Sequence, residues 1–89
     1  MNRTAWKYSG SPSGPFTLHL PAGAQFLHAA FQGEDLQLWF LVEPAKEEAA
    51  RRFLVTWTGE TLPTGLPVHH LATVINQLVW HLFEVGEDP

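Results

Sequence analysis

A chain of 89 residues, 45% hydrophobic and with four tryptophans, suffices for one domain with a thin core and is too apolar for wholesale disorder. The absence of cysteine excludes a disulfide framework and a thiolate nucleophile, and no window reaches the roughly 18 apolar residues of a membrane span. Five basic against nine acidic residues, a formal charge of −4, remove generic attraction to phosphate backbones and make nucleic acid an unfavoured partner.

The opening "MNRTAWKYSG" has no apolar run of signal-peptide type, so the expectation is a cytoplasmic protein. A single domain over residues 1–89 is expected, with flexible residues 1–3 and a C-terminal tail at 86–89. Frequent Pro and Gly signals then cut the chain into short pieces, the pattern of an all-β domain. Candidate strands run from Thr4 to Tyr8 and from Phe16 to Leu20, separated by "SGSPSGP". After "PAG", the stretch "AQFLHAAFQGEDLQLWF" reads as a hairpin turning at Gln32 to Asp35, with Gly33 able to supply a positive φ.

In "LQLWFLV" the residues Leu36, Leu38, Phe40 and Val42 share one face, while Trp39 and Leu41 take the other. With apolar side chains on both faces, this strand belongs in the middle of a covered sheet or against another subunit. "AKEEAARR", residues 45 to 52, is rich in helix formers and sets Glu47 four residues before Arg51 and Glu48 four before Arg52. It reads either as one short helical turn or as a charged lead into the strand Phe53 to Thr58.

The block "HHLATVINQLVWHLFEV" also has two readings. Leu71, Val74, Ile75, Leu78, Val79 and Leu82 fall at helical spacing, whereas the β-branched and aromatic residues suit two strands turning at Asn76 and Gln77. As a strand, "LVWHLFE" puts Leu78, Trp80 and Leu82 on one face and His81 and Phe83 on the other.

The segments "WKY", "LPAGAQFLHAAFQGEDLQLWFLVEP", "FLVTWTGETLP", "ATV" and "LVWHLFE" together resemble a family of small bacteriophage-encoded proteins catalogued as a domain of unknown function. The resemblance spans Trp6 to Glu84 and implies a hairpin in the C-terminal block. Two departures stand against it: the turn at Ile75 to Gln77 has no glycine, and Ala72 replaces the family's usual glycine before "TV". With the resemblance added, the expected fold is all-β or mainly β, a small antiparallel sandwich or barrel-like sheet with at most one short helical turn near residues 45–52. The resemblance supplies no catalytic residue; it implies a viral setting.

Chemistry is sparse. His69 and His70 are adjacent, so on a strand they point to opposite faces and grip one ion poorly; no metal and no cofactor are expected. Ser9, Ser11 and Ser13 lie in a turn-rich segment without a nucleophile elbow, and no spaced pair of carboxylates suggests acid–base work, so no enzymatic activity is expected. The surplus of aromatic residues on second strand faces points to contact with another molecule. Candidate interface residues are Trp39, Leu41, Trp80, His81, Phe83 and His28, with Lys7, Arg51 and Arg52 as anion contacts.

These features lead to the expectation of a noncatalytic binding protein of phage type, a homodimer or higher oligomer that engages a host protein. An oligomeric sponge for a nucleotide or other small ligand, and a minor structural component of the virion, are the alternatives.

Overall fold

The computed structural model describes residues 2–86; the expected flexibility of residue 1 and of residues 87–89 lies outside the described residues. Seven strands follow one another: β1 (Thr4–Gly10), β2 (Gly14–Pro21), β3 (Gln25–Gln32), β4 (Asp35–Val42), β5 (Glu48–Trp57), β6 (Val68–Ile75) and β7 (Val79–Val85). All pair antiparallel, in a three-stranded sheet ordered β1-β4-β3 and a four-stranded sheet ordered β2-β5-β7-β6. The two sheets stack as a sandwich that does not close into a barrel.

One local expectation is corrected. No helical turn forms near residues 45–52 among the described residues; residues 44–46 turn, and β5 begins at Glu48. Pairing of Glu48 to Arg52 with Pro21 to Thr17 supplies those backbone groups with ladder partners, a tertiary gain that outweighs helix propensity. In the C-terminal block, of the two readings, the hairpin forms as β6–β7, turning at residues 76–78, as the resemblance implies.

The β3–β4 turn is the tight one read from the sequence. Gln32 pairs with Asp35, and Gly33 alone of the two central residues has a positive φ, of 64°, which is what a II′ hairpin turn requires. At Gly10 the requirement is space: a Cβ there would lie 2.6 Å from the Phe16 ring, which stacks on Phe53 at 5.4 Å.

Between the sheets lies one layer of side chains, consistent with a molecule 15 Å across its shortest axis. Leu36, Leu38, Phe40 and Val42 from β4 meet Leu20, Phe53, Val55, Val74 and Leu82 from the other sheet. Phe40 and Phe53, both fully buried, touch edge to face at 5.9 Å, and Phe26 and Tyr8 pack edge-on to Phe40. Bulges in β3, between Phe26 and His28, and in β6, between His70 and Ala72, bend these two edge strands, which approach each other along one side of the sandwich.

A half-buried ion pair joins β5 to β7 on the core-facing side of the four-stranded sheet. Arg51 donates from Nε and Nη2 to the two carboxylate oxygens of Glu84 at 2.7 and 2.8 Å, and from Nη1 to the Ala24 carbonyl. Its Cζ lies 5.7 Å from the centre of the Phe40 ring. The hydrogen bond to Glu84 raises the Arg51 pKa above its ordinary value despite the opposing effect of burial. Lysine offers no planar fork, so Arg51→Lys is expected to lower stability by about 1 to 2 kcal/mol in urea unfolding. An unchanged midpoint would show that the fork adds nothing.

Burial, and secondly the charge of Glu48, hold the Tyr8 phenol above its ordinary value of 10.0. The folded state therefore keeps this proton more tightly than the unfolded chain does. The associated stability is complete below about pH 10 and is lost as pH rises through the folded-state value. Tyr8→Phe is expected to flatten the alkaline loss of stability, read from urea midpoints between about pH 8 and 11.

Candidate functional site

Because side chains alternate along each strand, the sandwich has two outer faces and two ends, and the sequence-derived candidates distribute among them. The outer face of the β1-β4-β3 sheet collects four. Trp39 stands at its centre, directly across from Lys7 on β1 and His28 on β3, and Leu41 follows it along β4. The His28 and Trp39 rings lie 5.7 Å apart, tilted by 38°. Lys7 Nζ reaches over β4 to donate to Gln32 Oε1 at 3.2 Å, and Ser9 Oγ donates to Gln37 Oε1 at 3.1 Å. Trp39 is half-buried here, while Lys7, His28 and Gln32 are exposed.

This face runs on into a cavity of about 460 Å³ lined by Arg3, Gly23, Gln25, Leu41, Glu43 and Lys46. Glu43 Oε2 is buried there without a hydrogen-bond partner among the described residues and lies 3.9 Å from Lys46 Nζ.

His81 and Phe83 instead face outward from the β2-β5-β7-β6 sheet. The two ring nitrogens of His81 are hydrogen-bonded to the hydroxyls of Thr58, at 2.8 Å, and Thr73, at 3.3 Å; His70 Nε2 lies 3.2 Å from the same Thr73 oxygen. Phe83 packs edge-on to His70 at 5.5 Å and pairs with Leu54, beside a groove that Pro63 and Leu66 of the β5–β6 connection line together with Leu54 and Val85. His28 and His81 therefore occupy different sheets.

The three anion candidates do not converge. Lys7 is on one outer face, and Arg51 lies between the sheets with its fork occupied by Glu84. Arg52, exposed on the four-stranded sheet, donates to the Gly86 carbonyl at 3.0 Å.

Trp80 shares the core-facing side of β7 with Leu82, as the alternation requires, and meets Trp57 edge to face at 6.2 Å at one end of the sandwich. This end holds residues that the sequence reading did not single out. Trp57 is 52% exposed, Leu78 59%, Ile75 69% and Val79 41%. Trp57, Thr58, Leu78 and Val79 line a groove of about 540 Å³. The signal that could have found them is the run "INQLV": a glycine-free hairpin turn has to carry Ile75, Leu78 and Val79 to its tip, where no second layer covers them.

No group of three or more His, Asp or Glu side chains is placed to hold a metal ion among the described residues. Among the described residues no helix is long and apolar enough to cross a membrane.

The fold and its faces define a small antiparallel β-sandwich that displays an aromatic sheet face and an apolar end. The chain belongs to the family described as a domain of unknown function, DUF7352, whose model matches residues 1–89. Comparison with curated proteins and with solved structures finds no match.

Asn76 holds the apolar end in shape, its Oδ1 accepting from Leu78 N at 2.8 Å and from Trp80 Nε1 at 3.2 Å. Asn76→Ala removes both bonds and is expected to cost about 1 kcal/mol of stability, measured by urea unfolding followed through tryptophan fluorescence. Retention of the wild-type midpoint would separate the turn from the stability of the fold.

Proposed function

We propose that the domain is a noncatalytic binding module that engages another protein through its apolar end. The observation that carries this reading is the exposure of Trp57, Leu78 and Val79 around one groove, with Ile75, the cross-strand partner of Val79, exposed beside them. Single exposed apolar residues need no explanation; a cluster built around a tryptophan is the composition of a protein contact. The acidic net charge of the chain favours a partner with basic residues around the apolar contact.

In the phage setting that the sequence resemblance implies, the partner is a host-cell protein, bound in the cytoplasm to inhibit a defence or redirect host machinery. Self-association is the competing use of the same surface, since an isologous dimer would cover the patch with its own copy. A minor role in a virion is the remaining alternative, read from the protein content of purified particles.

The test pairs light scattering on the purified chain with affinity capture from bacterial lysate, comparing the wild type with Trp57→Ser and Leu78→Asp. Both positions are exposed, so the variants are expected to keep the wild-type unfolding midpoint within about 0.5 kcal/mol. A specific captured protein, rebound in purified form and weakened about tenfold or more by either variant, is the expected result. A monomer–dimer shift abolished by the same variants would assign the patch to self-association. Equal behaviour of wild type and variants in both measurements would remove the apolar end from function.

A further inference from the structure

We propose that the outer face of the β1-β4-β3 sheet is a nucleotide-binding surface, independent of the apolar end, on which Trp39 and His28 take an aromatic base and Lys7 takes its phosphate.

The face brings together the parts that such a ligand needs. Trp39 and His28 are direct cross-strand neighbours with rings 5.7 Å apart, and Trp39 is half-buried, held from below by the sheet with part of its indole open. Every base has a π-face, so stacking on an indole requires no particular base. Lys7 pairs with Trp39 on its other side, and its exposed ammonium reaches across β4 to Gln32. A phosphate on a base stacked against Trp39 replaces that neutral amide contact with a charge-assisted one. Gln37, buried beside Trp39, accepts from Ser9 through its Oε1 and so holds the floor of this face.

Charge distribution selects the same face. It carries or borders Arg3, Lys7 and Lys46, three of the five cations of an acidic chain. The carboxylates beside it, Asp35 next to Gln32 and Glu43 next to Lys46, stand at its two ends and not beside Trp39. Of the remaining cations, Arg51 is occupied by Glu84 and Arg52 by the Gly86 carbonyl, both on the other sheet. A continuous polyanion would meet those end carboxylates, whereas a single nucleotide fits between them, so the acidic balance of the whole chain does not oppose this ligand.

The occupant is therefore a free mononucleotide, and one experiment with two arms separates it from a nucleic-acid strand. The full-length chain is titrated into AMP and GMP by calorimetry, and into a short fluorescein-labelled oligothymidylate by anisotropy, at low and at physiological salt. Saturable binding is expected in the mononucleotide arm; saturation in the oligonucleotide arm alone overturns the assignment to a free nucleotide. Trp39→Leu is expected to weaken it about tenfold or more, while Trp39→Phe retains most of it. Lys7→Gln is expected to weaken it less and to reduce the salt slope by about one. His19→Ala, exposed on the opposite sheet, is expected to bind as the wild type does. Absence of saturation in both arms, or a Trp39→Leu variant that folds and binds as the wild type does, overturns the proposal.

Discussion

The arrangement of the whole sandwich turns on Arg51. A cation sits on the core-facing side of the central strand pair, where a charge is costly to desolvate unless it is paired and hydrogen-bonded. Its guanidinium meets this demand from three directions: both oxygens of Glu84 on β7, the Ala24 carbonyl at the β2–β3 corner, and the ring of Phe40 in the opposite sheet. Glu84 pairs directly with Phe53, so the ion pair runs diagonally across β5 and β7 on one face. A one-residue slip of either strand would carry one partner to the outer face and leave the other charge alone in the interior. The pair therefore specifies register more than it adds stability. Its partial exposure limits the desolvation cost that a fully buried pair would carry.

The thin layer between the sheets also explains how the aromatic residues sort. Phe40 and Phe53 are fully buried, whereas Trp6 and Trp57 are exposed at 41% and 52%, and Trp39 and Trp80 are half-buried. A single layer accommodates phenyl rings meeting edge to face, but an indole brings an N–H that wants a partner, and a core of aliphatic and phenyl groups has none to offer. Trp80 finds its acceptor in Asn76 only because it lies at the end of the sandwich. The four tryptophans are thus displaced to edges, ends and outer faces.

Much of this was legible in the sequence. The alternation in "LQLWFLV" correctly divided Leu36, Leu38, Phe40 and Val42 from Trp39 and Leu41, because β4 is regular from end to end. "LVWHLFE" divided Trp80 and Leu82 from His81 and Phe83 for the same reason. Alternation fails where a bulge changes its phase. By period two, Phe26 and His28 share a face, yet Phe26 packs on Phe40 while His28 joins Trp39 outside. His70 and Ala72 part company in the same way, His70 going outward to Phe83 and Ala72 inward to Leu82. One extra residue, Leu27 in one strand and Leu71 in the other, makes the difference, and neither has a local signature of glycine or proline. The start of β5 was hidden for another reason: "EEAARR" favours a helix by itself, and only pairing with β2, far away in sequence, makes it a strand.

The chemistry of the two exposed surfaces sets different demands on what covers them. On the outer face of β4 the apolar residues are Trp39 and Leu41, and their cross-strand neighbours are Lys7, His28, Ala5 and Gln25, with Ser9 paired to Gln37 further along the row. Packing a second sheet there would bury an ammonium, an imidazole and several amides against their own copies, with like charge facing like charge across a two-fold axis. A small ligand with a flat apolar centre and a polar, anionic margin would avoid that burial. The end formed by Trp57, Ile75, Leu78 and Val79 has the opposite character, since these four side chains carry one polar atom among them, the indole nitrogen of Trp57. Covering it requires no matched set of donors and acceptors, only an apolar surface of complementary shape, which a protein partner supplies more readily than a nucleotide does.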